Sequence, residues 1–219
     1  MSPQTVLITG CSDNGIGSAL GKVLQQRGYH VFAAARNLTK MTWLKGLPNV
    51  TPIILDITKA EHIQSAVKTV SEATGGKLDH LINNAARNHF MPILDEDLDN
   101  RSIEIAADTL RLELVPLGVN VLAVVTGGVK TAGQTYFDNL RLPENSLYRS
   151  VEKTIISRAQ GHDGMDRMDA HEYANAVADE IEKRTAGKFW YGVGPEMVKN
   201  AFTNVALPQD AFVSSIFIP

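Results

Sequence analysis

Residues 6–37, VLITGCSDNGIGSALGKVLQQRGYHVFAAARN, run from a β-branched apolar stretch through a glycine-rich turn into a segment of helical period, then into a second apolar stretch. That order constrains the fold more than any other feature, because strand, tight turn, helix and strand make the repeating unit of an open α/β sheet. Gly10 permits a tight exit from the strand. Gly15 and Gly17 let backbone N–H groups and the helix N-terminus approach a pyrophosphate closely. Asn14 is one of the few non-glycine types that tolerates left-handed geometry in such a turn. Gly10, Ser12, Asn14, Gly15, Ile16 and Gly17 therefore form a candidate phosphate cradle. An ordinary βα turn also uses flexible residues, but the surrounding strand–turn–helix–strand order favours a dinucleotide site.

The same alternation continues downstream, so the chain is read as α/β: a Rossmann-like, doubly wound parallel sheet of about six strands with helices on both faces. Strands are expected at 5–10, 30–36, 50–56, 78–84, 119–125 and 188–193. Thr58 and Glu61 have capping-box spacing ahead of a stripe of Ile63, Ala66, Val67 and Val70, which predicts a helix. A crossover helix is expected over 102–114, with Ile103, Ala106, Ala107, Leu110 and Leu114 on one face, and another near 170–183. At 219 residues, 44% of them hydrophobic, the chain suits one domain: a dinucleotide-binding half at 1–84 and a remainder at 102–219 carrying substrate-side loops and a C-terminal tail.

An NAD-type site places Asp or Glu about 20 residues beyond the glycines to hold the ribose hydroxyls. Ala35, Arg36 and Asn37 stand there instead. Arg36 can pair with a 2′-phosphate that a carboxylate would repel, so NADP(H) is the expected cofactor, although a solvated strand-end charge also explains this arginine. Asp56, followed by Ile57, closes the third strand; it can accept a hydrogen bond from an adenine amino group or simply cap the next turn.

The segments TGCSDNGIG (9–17), AAARN (33–37), LDIT (55–58), NNAA (83–86), TLRLEL (109–114) and TGGVKT (126–131) follow one another in the order of the short-chain dehydrogenase/reductase family. The chain resembles that family, and especially its fungal branch similar to acyl-dihydroxyacetone-phosphate reductases. The resemblance implies that Asn84 and Ala85 end the fourth strand beside the cofactor. It also places Gly127, Val129 and Thr131 on the nicotinamide side, with Thr126 where the family has proline. A homo-oligomer is implied as well.

One part of the family pattern is missing. Only 24 residues separate Asn84 from Thr109, too few for the family's next helix, its serine-bearing strand and the helix that carries Tyr-x-x-x-Lys. Four positions after Tyr29, Tyr136, Tyr148, Tyr173 and Tyr191 stand Ala33, Leu140, Glu152, Val177 and Pro195, so no Tyr-x-x-x-Lys exists. In that motif the lysine lowers the tyrosine pKa so that the phenol exchanges a proton with a carbonyl oxygen during hydride transfer. Such acid catalysis contributes about 10²- to 10⁴-fold. Ser102 does not match the family's serine in spacing. Strand four, the 102–114 helix and the fifth strand still form a βαβ unit, so the sheet is expected to close over the gap, with a non-standard assembly.

Substitute catalytic groups are sought in loops at the carboxyl ends of the strands. Arg87, Asn88 and His89 follow the fourth strand, and Lys130, Tyr136 and Asp138 follow the fifth. His89 can act as acid or base near neutral pH, and Tyr136 can donate a proton, so these two are the catalytic candidates. His162, Asp163, Asp166 and His171 lack metal-ligand spacing, and no metal site is expected. Phe189, Trp190, Tyr191, Met197, Phe202 and Phe212 can line an apolar pocket or simply fill a core.

The net charge of −3 supplies no basic field for a nucleic acid. One cysteine cannot make an internal disulfide, the N-terminus lacks signal-peptide regions, and no apolar run is long enough to span a bilayer. A cytoplasmic protein is expected; the apolar tail AFVSSIFIP suits burial, a dimer contact or a weak hold on a membrane surface. The expected function is a small-molecule enzyme descended from NADP(H)-dependent reductases that performs a non-redox step, isomerisation or cyclisation of an apolar metabolite. The alternatives are a carbonyl reductase using substitute residues, a catalytically silent binding or regulatory protein, and a truncated gene product.

Overall fold

A computed structural model describes residues 2–86, 110–164 and 166–194. Strand β1 (Thr5–Thr9) is buried almost throughout, and α1 (Ile16–Gln26) returns the chain to β2 (His30–Ala35). Helix α1 ends in a Schellman motif, in which Gly28, at φ +89°, bonds to Gln25 O and Tyr29 N to Leu24 O. Then come β3 (Val50–Ile54), α2 (Ala60–Thr74) and β4 (His80–Ile82). After the second described stretch begins, residues 110–114 are helical, and β5 (Leu122–Thr126), α3 (Glu152–Ala159), α4 (Ala170–Glu182) and β6 (Gly187–Tyr191) follow.

All pairings between these strands are parallel. The order is β3-β2-β1-β4 in one sheet and β5-β6 in a second. The order of strands reverses beside β1, which opens a crevice at the carboxyl ends of β1 and β4. The pleat divides the core. Val6 and Ile8 of β1, with Val31, Ala33 and Ala35 of β2, face α1 and α4, while Leu7, Phe32, Ala34 and Ile53 face Ala66 and Val70 of α2. Each fully buried Val, Leu or Ile of this kind contributes about 1.5–3 kcal/mol. Helix α4 lies on α1, with Tyr173, Ala174, Val177 and Ala178 buried. Arg27 clasps it through Asp179 at 2.8 Å and Glu182 at 3.0 Å. The strand pair thus joins the larger sheet's core through a helix.

The Rossmann-like α/β architecture matches expectation, with three local corrections. The sheet was expected to close over the gap; among the described residues no ladder joins β4 to β5. Strand β4 makes only three register pairs, with β1, and β5 pairs only with β6. Helix α2 starts with Lys59 as N-cap and no side-chain cap, because Thr58 turns back to donate to Asp56 Oδ1 at 2.8 Å. Its apolar stripe is half used; Ala66 and Val70 are buried, whereas Ile63 is 44% and Val67 57% exposed. Residues 102–109 of the expected crossover helix lie outside the described residues. Helix α3 falls in a stretch where the sequence suggested none.

Candidate functional site

The glycine loop is built by contact as much as by conformational freedom. Gly10 has φ +78° and Asn14 φ +59°, the left-handed geometry expected there. A Cβ on Gly17 would stand 2.5 Å from both Asn84 Nδ2 and Gly10 O, and one on Gly10 2.9 Å from Ala85 Cα. The loop and the end of β4 are therefore packed backbone to backbone. Asn84 fastens them: its Nδ2 donates to Thr9 O at 2.8 Å and Gly10 O at 3.2 Å, and Asn84 N and Ala85 N both donate to Thr9 Oγ1. Asn84 and Ala85 do lie beside the loop, but the Asn84 amide N–H groups are engaged in holding it.

The start of α1 fits a phosphate. Gly15 is its N-cap, no side chain caps the helix, and the first turn holds no acidic residue. Backbone donors at a helix N-terminus with uncompensated positive dipole favour an anion. Ser18 is turned inward, accepting from Gly15 N and donating to Gly15 O. Cys11 is also an inward packing group: fully buried, its thiol donates to Ile8 O, and burial pushes its pKa up to about 12.

Arg36 and Asn37 emerge exposed from the end of β2. Asn37 Oδ1 accepts from Thr39 N at 2.9 Å and Thr39 Oγ1 at 2.8 Å, so it caps the turn that follows. Asp56 is held below its ordinary carboxylate range first by the two Thr58 hydrogen bonds, with the nearby Arg36 charge adding to them. Asp56 therefore caps a turn and also lies within electrostatic reach of Arg36. Asp56 N donates to His62 Nδ1 at 3.2 Å, and Ile57 is 48% exposed.

Asp13 is a residue that sequence reasoning missed. It accepts from Thr42 N, Thr42 Oγ1 and Trp43 N at 2.7–2.9 Å, while its own N–H donates to Lys40 O at 2.7 Å. These bonds pin the glycine loop to the turn after β2. Only its place in a Ser-Asp-Asn run, typical of turn formers, hinted at this.

In the segment after β5, which the resemblance assigns to the nicotinamide side, Ala132 N donates to Asn14 O at 2.8 Å and sets this segment against the glycine loop. Thr131 caps the 3₁₀ turn 132–137, its Oγ1 accepting from Gly133 N. Tyr136 lies on that turn, 69% exposed, and Asp138 is exposed beyond it. Thr126, in the proline position, shares a 2.6 Å hydrogen bond with Tyr173 OH, whose pKa burial raises. Arg87, Asn88 and His89 lie outside the described residues, as do Met197, Phe202, Phe212 and the rest of the tail. Phe189 and Tyr191 pack against the core beside Tyr173. No cluster of three His, Cys, Asp or Glu side chains able to hold a metal occurs among the described residues, and no helix among them is long and apolar enough to cross a membrane.

A family model for short chain dehydrogenases matches residues 4–107. Short-chain dehydrogenase PC-15 of Penicillium crustosum is 38% identical over 259 aligned positions, covering 94% of each chain. An NADPH-dependent 1-acyldihydroxyacetone phosphate reductase of Schizosaccharomyces pombe is 26% identical over 278 positions, covering 96% of this chain and 92% of its own. Among solved structures, a short chain dehydrogenase from Burkholderia cenocepacia in complex with NADP superimposes with a TM-score of 0.69 at 17% identity, covering 100% of this chain and 99% of that one.

Proposed function

The chain belongs to the short-chain dehydrogenase family, and from that premise we propose that it retains the family's NADP(H) site but not its usual proton-transfer chemistry, and acts on a small, largely apolar metabolite by isomerisation or cyclisation. The observation that carries this reading is the contrast between an intact glycine loop and a sequence without Tyr-x-x-x-Lys. The alignments support a missing stretch. Since 94% of this chain is about 206 residues, about 53 of the 259 positions aligned with the Penicillium protein have no counterpart here. Among the described residues no ladder joins β4 to β5, which lie on either side of that stretch.

In this reading the backbone N–H groups at the start of α1, those of Ile16 and Gly17, hold the pyrophosphate, Arg36 pairs with the 2′-phosphate, and Asp56 and Ile57 flank the adenine. Thr131 borders the nicotinamide side, and Ser12 and Asn37 shape the cradle's rim. The chemistry that bound NADP(H) supplies is hydride exchange at the nicotinamide ring. No side chain of this sequence reproduces the tyrosine–lysine pair that passes the accompanying proton, so a non-redox step fits the residues better. Incubation with candidate metabolites and NADPH tests this: product without loss of nicotinamide absorbance supports it, and product formed only with stoichiometric NADPH consumption rejects it.

A second reading, a carbonyl reductase with Tyr136 or His89 as proton donor, is favoured by the exposure of Tyr136 on the turn next to Thr131. Unchanged reductase turnover after replacing both residues excludes that assignment. Binding of nucleotide without any turnover marks a regulatory protein, for which a self-associated form with a non-standard interface is proposed. A cytoplasmic location is part of the same proposal.

A further inference from the structure

We propose that His62 is a positioning residue for the nucleotide: its neutral imidazole holds Asp56 and Ile57 at the adenine rim, and uptake of a proton releases them. The proposal deepens the NADP(H) reading above and rests on it.

The β3 ladder ends just before Asp56. Leu55 N still donates to Ala35 O of β2 at 3.0 Å, but the next N–H, that of Asp56, turns to a side chain instead. Its acceptor is His62 Nδ1, 3.2 Å away in the first turn of α2. His62 is the third residue of α2, the position from which a capping-box side chain reaches back to a backbone N–H. Here it reaches past the N-cap, Lys59, to the end of the strand. The turn between is closed by Lys59 N donating to Asp56 O at 3.0 Å, by His62 N donating to Lys59 O at 3.1 Å, and by the two Thr58 donors on Asp56 Oδ1. One imidazole thus ties the carboxyl end of β3 to the start of α2, and Ile57 is carried on the tied turn.

This bond fixes the protonation state of the ring. A backbone N–H can only donate, so Nδ1 is the bare nitrogen and Nε2 carries the hydrogen. A proton added to Nδ1 sets donor against donor, and the tie opens. Histidine is the side-chain type that changes charge between about pH 5 and 8. The charged groups that the structure brings around this turn are Asp56, Glu61, Arg36 and Lys59, two of each sign. Their summed charge does not decide the state of the ring, whereas the Asp56 N–H needs it neutral.

Loss of one such hydrogen bond corresponds to about two- to tenfold in nucleotide affinity. The Asp56 carboxyl, held below its ordinary 3.8 by Thr58, does not change charge in the same range and leaves the effect to the imidazole.

The test compares the unmodified full chain with two variants. His62→Asn places an amide oxygen where Nδ1 stands and accepts at every pH; His62→Phe keeps a ring and has no acceptor. NADP⁺ is titrated calorimetrically into each between about pH 5.5 and 8, and the Asp56 amide resonance is followed over that range without nucleotide. Titration of the 2′-phosphate is common to all three proteins, so their affinities are compared as ratios. Expected is rescue by asparagine: near the upper pH the wild type and His62→Asn bind alike, and toward the lower pH the wild type alone weakens, by about two- to tenfold, to the level of His62→Phe. The Asp56 amide should move with pH in the wild type, in step with affinity, and stay still in His62→Asn. The proposal is overturned if wild type and His62→Asn share one pH profile, if His62→Phe binds as tightly as wild type near the upper pH, or if the Asp56 amide does not titrate. If no nucleotide binds to any of the three, the cofactor reading falls and the positioning role with it, while the Asp56 amide still decides whether His62 holds the turn.

Discussion

Gly17→Ala tests the packing of the glycine loop in isolation from any ligand. The added methyl would meet Gly10 O and Asn84 Nδ2, both at 2.5 Å, and backbone cannot swing aside as a flexible side chain can. Overpacking of this kind costs about 1–3 kcal/mol. Displacing Asn84 also weakens its bonds to Thr9 O and Gly10 O, each with a net value of about 0.5–1.5 kcal/mol. Replacing glycine by alanine in a helix returns up to about 1 kcal/mol. The balance is a loss of about 2–3 kcal/mol, or roughly 4–12 °C in melting temperature for a domain of this size. Urea denaturation of the variant checks it, with Asn84→Ala and the double variant completing a cycle. Because Asn84 supplies half of the clash, the double variant should be more stable than the sum of the singles predicts, by about 1 kcal/mol. A Gly17→Ala protein within about 0.5 kcal/mol of wild type refutes the contact argument, since that is the range of inconsequential surface changes.

Arg36→Gln should weaken NADP⁺ binding about 10- to 100-fold, as expected for a lost charge-assisted bond, and leave NAD⁺ affinity nearly unchanged; parallel titrations with the two nucleotides measure this. Asp13→Ala should release Thr42 and Trp43, so hydrogen exchange at those two amides speeds up, while the α1 core amides stay protected. Asp79 is held below its ordinary 3.8 first by the hydrogen bond from Thr5 N. Because its folded pKa is depressed, its stabilisation is present above 3.8 and disappears as pH falls through the folded value; Asp79→Asn should flatten acid unfolding in that window. Burial depresses the pKa of His80 below its ordinary 6.5, and its Nε2 has no hydrogen-bond partner among the described residues. The unfolded chain takes up that proton first, so stability should fall below pH 6.5, and His80→Phe should reduce the slope in denaturation measured between pH 7 and 5.

The β1–α1–β2 unit was legible because its apolar periods and its glycine-rich turn specify the same local structure. The roles of Gly10 and Gly17 were only partly legible: flexibility was expected, but besides Gly10 O the contacts that exclude a Cβ come from Asn84 and Ala85, over 60 residues away. The division into a four-stranded sheet and a separate pair depends on which strand edges meet, and no local pattern in β4 or β5 encodes that. Helix α3 escaped notice because its eight residues bury only Ala159 and so carry no apolar stripe of useful length. Thr58 and Glu61 had the right spacing for a capping box, but Asp56 captured Thr58 first, a competition between two local motifs that spacing cannot decide.

The decisive measurement is a calorimetric titration of the unmodified chain with NADP⁺ and then NAD⁺. One NADP⁺ bound per chain, at least about tenfold tighter than NAD⁺, is the result that a retained loop and the Arg36 charge require. Absence of binding by either nucleotide, or a clear preference for NAD⁺, contradicts a surviving NADP(H) cradle.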